Sequence, residues 1–331
     1  SRQHTAVKIA PEYAAPVVHV VDASRAVDVT ASLLSAEQGP AFARANAEEQ
    51  DRVRLQHGAL KRRDLLPFPA ASAKGAKVPF SADVIATPSF TGTRVVSDVR
   101  LEDLVPYIDW TLFFSAWELK GRFPAILDHP SYGAAARELF DAGQRLLEQI
   151  IATQSLQLGA VYGFWPANSD GNDIVLYDTP DSRHERLRFN MLRQQEQYGD
   201  ERPCRSLSDF VAPVSSGLVD YVGAFVVTSG HGVDALVARY ERDHDDYHAI
   251  MVKALADRLA EAYAEYLHRR ARIDWGYGAS EQLSPADIIA EKYRGIRPAF
   301  GYPSCPDHSE KVKLFSLLDA GRVGVSLTES F

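Results

Sequence analysis

The stretch 243–273 limits what this chain can fold into more than any other segment. Met251, Leu255, Leu259, Ala262 and Tyr266 step by four, four, three and four, which is the spacing of one buried helical stripe. A helix of about 30 residues spans about 45 Å. Candidate strands interrupted by helices of this length point to an α+β fold rather than a doubly wound sheet. The expected architecture is therefore mixed helices and antiparallel sheet in one large C-terminal domain.

The segments on either side of that helix have their own patterns. Residues 101–120 form an aromatic-rich helix candidate, and 134–156 a second helix of good amphipathic period. Residues 159–165 and 173–177 look like a strand pair, with 166–172 as the turn, and 220–228 is another strand. Near the N-terminus, 4–9 and 17–21 read as two short strands, the second β-branched, followed by a helix over 25–34 capped by Asp22 or Ser24. Strand, small-residue turn and helix make a βα unit of the kind found in parallel sheets. Residues 40–60 read as a charged connecting helix. Pro67, Pro69, Pro79 and Pro88, with Gly75 and Gly92, mark 61–92 as an extended, mobile linker. The expected organisation is 1–38, a connecting segment 39–95, and a main domain 96–331.

Composition enters mainly as exclusion. The 331 residues suit two domains, or one large domain with an extension. With 36 Lys and Arg against 44 Asp and Glu, the net charge of −8 argues against general nucleic-acid binding. Cys204 and Cys305 are the only cysteines, so a disulfide framework is excluded and a reducing cytoplasm is the expected location. No apolar run approaches the roughly 18 residues of a membrane span.

Several constellations could carry chemistry. His244 and His248 stand four apart, as in a zinc-binding H-E-x-x-H helix, but Asp245 replaces the glutamate base. A zinc-dependent hydrolase is thus a remote alternative, and a polar helix start the plainer one. Phosphate-loop and complete dinucleotide motifs are missing, since Gly230-His231-Gly232 lacks the third glycine. The informative segment is 295–308, where three prolines and two glycines dictate a shaped loop carrying Arg297, Tyr302, Cys305 and His308. An arginine beside exposed backbone suits a small carboxylate ligand, or equally a structural cap. Asp109 lies among Tyr107, Trp110, Phe113 and Phe114, so it must cap a helix or meet a cation. Asp257, Glu261 and Glu265 form an acidic row with i, i+4 spacing that reads as a solvated face, with Glu291 further along near the loop.

Taken together, Tyr107-Ile-Asp-Trp-Thr111, Phe164-Trp-Pro-Ala-Asn168, Ser208-Asp-Phe-Val-Ala-Pro213, the run from His244 to Ala262, and Arg297-Pro-Ala-Phe-Gly-Tyr-Pro-Ser-Cys-Pro306 resemble cobalamin-dependent methionine synthases. The likeness is to their C-terminal S-adenosylmethionine-binding reactivation domain and covers residue 60 to the end. Residues 4–8 and 17–34 resemble the last βα unit of the family's Rossmann-like cobalamin-binding domain.

The resemblance implies a ligand site and a role. Asp109 would accept from the ammonium of S-adenosylmethionine, and Arg297 would hold its carboxylate. Backbone at Ala299 and Gly301 would line the adenosine, and Glu261 and Glu291 would offset the sulfonium charge. Tyr302 and Ala23 would contact the corrin of cobalamin. The implied reaction is a methyl transfer that returns oxidised cobalamin to methylcobalamin, with one electron from a flavodoxin-type partner. The other partner would be the enzyme's own cobalamin-binding domain. Zinc is expected only in a homocysteine module that this sequence does not include. A family segment following the position of Phe331 is also missing from this sequence, which leaves a non-catalytic docking module for flavodoxin and the cobalamin domain as the alternative.

Overall fold

The computed structural model describes residues 2–20, 24–59, 64–182, 184–197, 201–278 and 280–328. The chain divides into two compact units, residues 1–65 with 196–200, and residues 66–195 with 201–331.

The smaller unit is helical among its described residues. Ser24–Leu34 is an α-helix, as the capping signals predict, and Gly39–Ala59 is a second. The expected strand over 4–9 is instead a π-helical turn, Thr5–Ile9, with Thr5 and Ala6 buried. Arg54 explains part of this, donating from Nη1 to the Ala6 carbonyl at 2.8 Å. Val17 to Val20 pair with no strand, and the Val17 carbonyl accepts instead from Asn46 Nδ2 and Gln50 Nε2. The apolar run at 17–20 therefore forms no parallel sheet among the described residues, and Val21, Asp22 and Ala23 lie outside them.

The larger unit is α+β. Its antiparallel sheet is built on β2 (Gln157–Asp170), which pairs with β5 (Asp220–His231) along one side. The other side of β2 is shared by β1 (Gly92–Val96) at residues 160–164 and β3 (Asp173–Tyr177) at 167–170, with β4 (Glu185–Asn190) outside β3. The turn expected at 166–172 begins five residues late, at Gly171, because β2 runs on through Pro166 to Asp170. Trp165 and Pro166 fall in the gap between partners β1 and β3, where a residue without an N–H disturbs the ladder least. Gly163 allows β1 to approach, since a Cβ there would lie 2.3 Å from the Gly92 carbonyl oxygen.

Both faces of β2 are covered. Ala160, Tyr162 and Phe164 face a core formed with the long helix Asp246–Trp275, the helix Gly133–Thr153 and the aromatic segment around Phe113 and Phe114. Val161, Trp165 and Ala167 face a second core with Leu176, Cys305, Leu318 and Val323. Met251, Leu255, Leu259 and Ala262 are fully buried, as their spacing requires. The expected helix over 101–120 breaks into Leu101–Leu104, a 3-10 turn Val105–Tyr107 containing Pro106, and Trp110–Ser115.

The proline-rich segment is anchored rather than loose. Residues 68–73 form a short helix with Ala71 buried, and Pro88 is buried. Asp209 accepts from the Ala76 amide at 3.1 Å, Ala86 accepts from Trp275 Nε1 at 3.2 Å, and the Ser89 amide donates to the Asp274 carbonyl at 2.7 Å. These residues form a strap over the larger unit.

Candidate functional site

A second, polar stripe on the long helix builds the site. Glu261, Glu265, His268 and Arg272 step by four, three and four, so they share one face. Arg272 is buried and clasps the chain beyond the helix, donating from Nε to Glu281 Oε2 at 2.8 Å and from Nη1 to the Arg294 carbonyl at 2.7 Å. The short helix Pro285–Ile289 begins with a Ser284–Asp287 capping box and ends before Glu291, whose φ of 55° turns the chain back. The clasp and the turn bring the segment 291–297 over the polar stripe.

Arg297 forms an ion pair with Glu265, and the two side chains are only 22% and 15% exposed. The guanidinium also lies 5.9 Å from the centre of the Phe225 ring. Burial pushes the Glu265 carboxyl above the usual range; Arg297 opposes the shift, and the nearby charges of Glu261 and Glu291 add to it. Glu265 is thus no member of a solvated row, and Glu261 and Glu291 form an exposed acidic rim around it. Burial also lowers His268 to about 3, assisted by Arg297 and Arg272, so its ring is neutral. The His268 ring meets Tyr293 edge-on at 4.6 Å. Glu265 Oε2, Arg297 Nε and His268 Nδ1 are buried without a hydrogen-bond partner among the described residues. Such a group of unmet donors and acceptors is costly in a core and suits a polar ligand.

The loop after Arg297 is a tight turn. The Gly301 amide donates to the Cys305 carbonyl at 2.9 Å, the Cys305 amide to the Tyr302 carbonyl at 2.9 Å, and Cys305 Sγ to the Ala299 carbonyl at 3.0 Å. Gly301 has φ of 106°, and a Cβ there would lie 2.3 Å from His308 Cε1. Ala299, Gly301 and Tyr302 are exposed, Tyr302 by 63% at the tip.

Asp109 caps the helix Trp110–Ser115, accepting from the Thr111 amide at 2.9 Å. It follows Tyr107, whose ring meets Tyr266 at 5.7 Å and whose hydroxyl accepts from Arg269 Nη1 at 3.0 Å. Asp109 therefore stands beside the same long helix as Glu261 and Glu265. Ala23 lies outside the described residues. The arrangement thus joins Glu261, Glu291, Arg297 and the 299–302 turn, and adds Glu265, His268 and Tyr293, which the sequence did not single out as site residues. The stripe spacing was the signal for the first two.

One further observation closes another reading. His244 has φ of 58° and precedes the helix, while His248 is inside it with Nδ1 2.7 Å from Asp245 Oδ2. The two histidines do not share a helical turn, so the zinc-hydrolase geometry is not formed. Among the described residues no helix is long and apolar enough to cross a membrane.

Residues 100–331 match the family described as vitamin B12 dependent methionine synthase, activation domain. The chain belongs to this family. Among solved structures it is similar to one described as the crystal structure of the MetH reactivation domain bound to AdoHcy. The two are 43% identical with a TM-score of 0.74, and the match covers 81% of this chain and 82% of the other. An activation domain of a methionine synthase is accordingly the setting of the Glu265–Arg297 site.

Proposed function

We propose that this activation domain binds S-adenosylmethionine and positions its methyl group for transfer to cobalamin held by another module. The observation that carries this reading is the largely buried Glu265–Arg297 pair, with unpartnered polar atoms on both residues, beneath the exposed carboxylates of Glu261 and Glu291. S-adenosylmethionine carries an ammonium, a sulfonium and a carboxylate, so it needs acids and a cation in one place. Arg297 would take the carboxylate in its planar fork. Asp109 would accept from the ammonium with the oxygen its cap leaves over, and Glu261 and Glu291 would offset the sulfonium. Backbone at Ala299 and Gly301 would line the adenosine. The AdoHcy bound in the 43% identical MetH reactivation domain supports a ligand of this class.

Cobalamin, when carried by its own module, supplies the metal centre that accepts a methyl group. Tyr302, exposed at the loop tip, is the residue of the larger unit proposed to face the corrin, with Ala23 on the cobalamin-domain side. The chain's own contribution is orientation of the methyl donor, an effective-concentration effect rather than acid–base work. A flavodoxin-type partner would supply the electron that the reductive methylation requires.

Calorimetric titration of S-adenosylmethionine into the chain tests the reading. Asp109→Ala and Arg297→Ala are each expected to weaken binding by more than about tenfold, the loss of one charge-assisted contact. Unchanged affinity in both variants overturns the site. No binding by the unaltered chain overturns the ligand assignment and favours the docking module.

A further inference from the structure

The Glu265–Arg297 pair carries a more specific conclusion. Arg297 Nη2 donates to Glu265 Oε1, while Oε2 of the same carboxylate and Nε of the same guanidinium are buried and unpartnered among the described residues. One orphan is an acceptor and the other a donor, and they belong to the two members of one ion pair. A guanidinium and a carboxylate have a side-on arrangement that joins Nη2 and Nε to the two oxygens in parallel. Adopting it satisfies both orphans at once. It also leaves the Nη1 edge of Arg297 outside the pairing with Glu265, where the neighbouring Tyr293 hydroxyl accepts from the guanidinium until a ligand carboxylate takes its place.

We propose that Glu265 is a positioning residue, which fixes the Arg297 guanidinium edge-on so that Nη1 and the second Nη2 hydrogen face the carboxylate of the ligand. This rests on the S-adenosylmethionine reading given above. Glu265 itself does not touch the ligand. The surroundings of the pair favour this role. The Phe225 ring limits the guanidinium from another direction, and the neutral His268 one turn away adds no competing cation. The exposed Glu261 and Glu291 stay available for the positive end of the ligand. A planar fork held on one edge loses little further freedom when it binds on the other, and pre-organisation of that kind favours affinity.

The test compares two ligands on the full chain. S-adenosylhomocysteine carries the amino-acid carboxylate, and 5′-methylthioadenosine keeps the adenosine and the thioether but lacks it. Glu265→Gln replaces an acceptor opposite Arg297 Nε with a donor. It is expected to weaken S-adenosylhomocysteine by about tenfold while 5′-methylthioadenosine changes by less than about twofold. In an Arg297→Ala background the same change is expected to cost nothing more, because the two residues act as one unit. Retained binding of 5′-methylthioadenosine also reports that the variant is folded. Equal weakening of both ligands means a merely structural role and overturns the proposal. So does unchanged or tighter binding of S-adenosylhomocysteine, the latter because Glu265 would then compete with the ligand for Arg297. An unaltered chain that binds neither ligand overturns the site reading as well as this proposal.

Discussion

His268 lies one turn beyond Glu265, and both are residues whose charged form the fold disfavours. The consequence for His268 has a definite sign. Its ordinary value of 6.5 falls to about 3 in the fold, so stability from the neutral ring is complete above about pH 6.5 and is lost as pH falls toward 3. Between pH 7 and pH 5 this amounts to about 2 kcal/mol. Urea unfolding at the two pH values is expected to show that loss in the unaltered chain and a smaller one in His268→Gln. Glu265 works the other way, since its raised value favours the fold at low pH, so the comparison of the two chains isolates the histidine. The sequence made the acids visible but not their burial. Glu265 appeared as one of three exposed carboxylates at helical spacing, and its partner Arg297 is 32 residues away. Composition and periodicity carry no information about a contact at that separation. Asp109 was legible as a helix cap, because an acid before an aromatic run has few other local uses.

At the level of elements, period and proline decided what could be read. The long helix and the helix Gly133–Thr153 were legible because an apolar stripe repeats through each. Pro166 misled, since proline argues against a central strand and only the change of partner beside β2 explains its place. The run at 4–9 misled for a different reason: its apolar residues are too few to show a period, and a hydrogen bond from Arg54, far along the chain, accompanies the helical turn. The sheet itself has a testable weak point. Gly163 holds β2 against β1 so closely that Gly163→Ala would place a Cβ 2.3 Å from a backbone oxygen, which cannot swing aside as a side chain would. The expected cost is about 1–3 kcal/mol, read as a lower urea midpoint with an unchanged m-value.

On the scale of the whole molecule, the larger unit holds the sheet, the long helix and the site residues Asp109, Glu261, Glu265, Glu291 and Arg297. Its strap is fixed by one buried ion pair. Arg193 and Asp209 are 5% and 9% exposed, and the guanidinium donates from Nη1 to Oδ2 at 2.8 Å and from Nη2 to Oδ1 at 2.5 Å. Asp209 Oδ2 also accepts from the Ala76 amide of the strap and the Ser206 amide. Asp209→Ala leaves a buried guanidinium without its counter-ion, with an expected loss of about 3–5 kcal/mol. Limited proteolysis of that variant is expected to cut first within 66–91, whereas the unaltered chain resists there. The prolines of this strap also act on the denatured chain. Pro67, Pro69, Pro79 and Pro88 each fix one backbone angle before any native contact exists. The unfolded ensemble is narrowed accordingly, and less disorder has to be surrendered when the segment settles along the surface. A composition that reads as looseness in a solvated linker therefore acts, in a docked one, as stiffness already present at the start of folding.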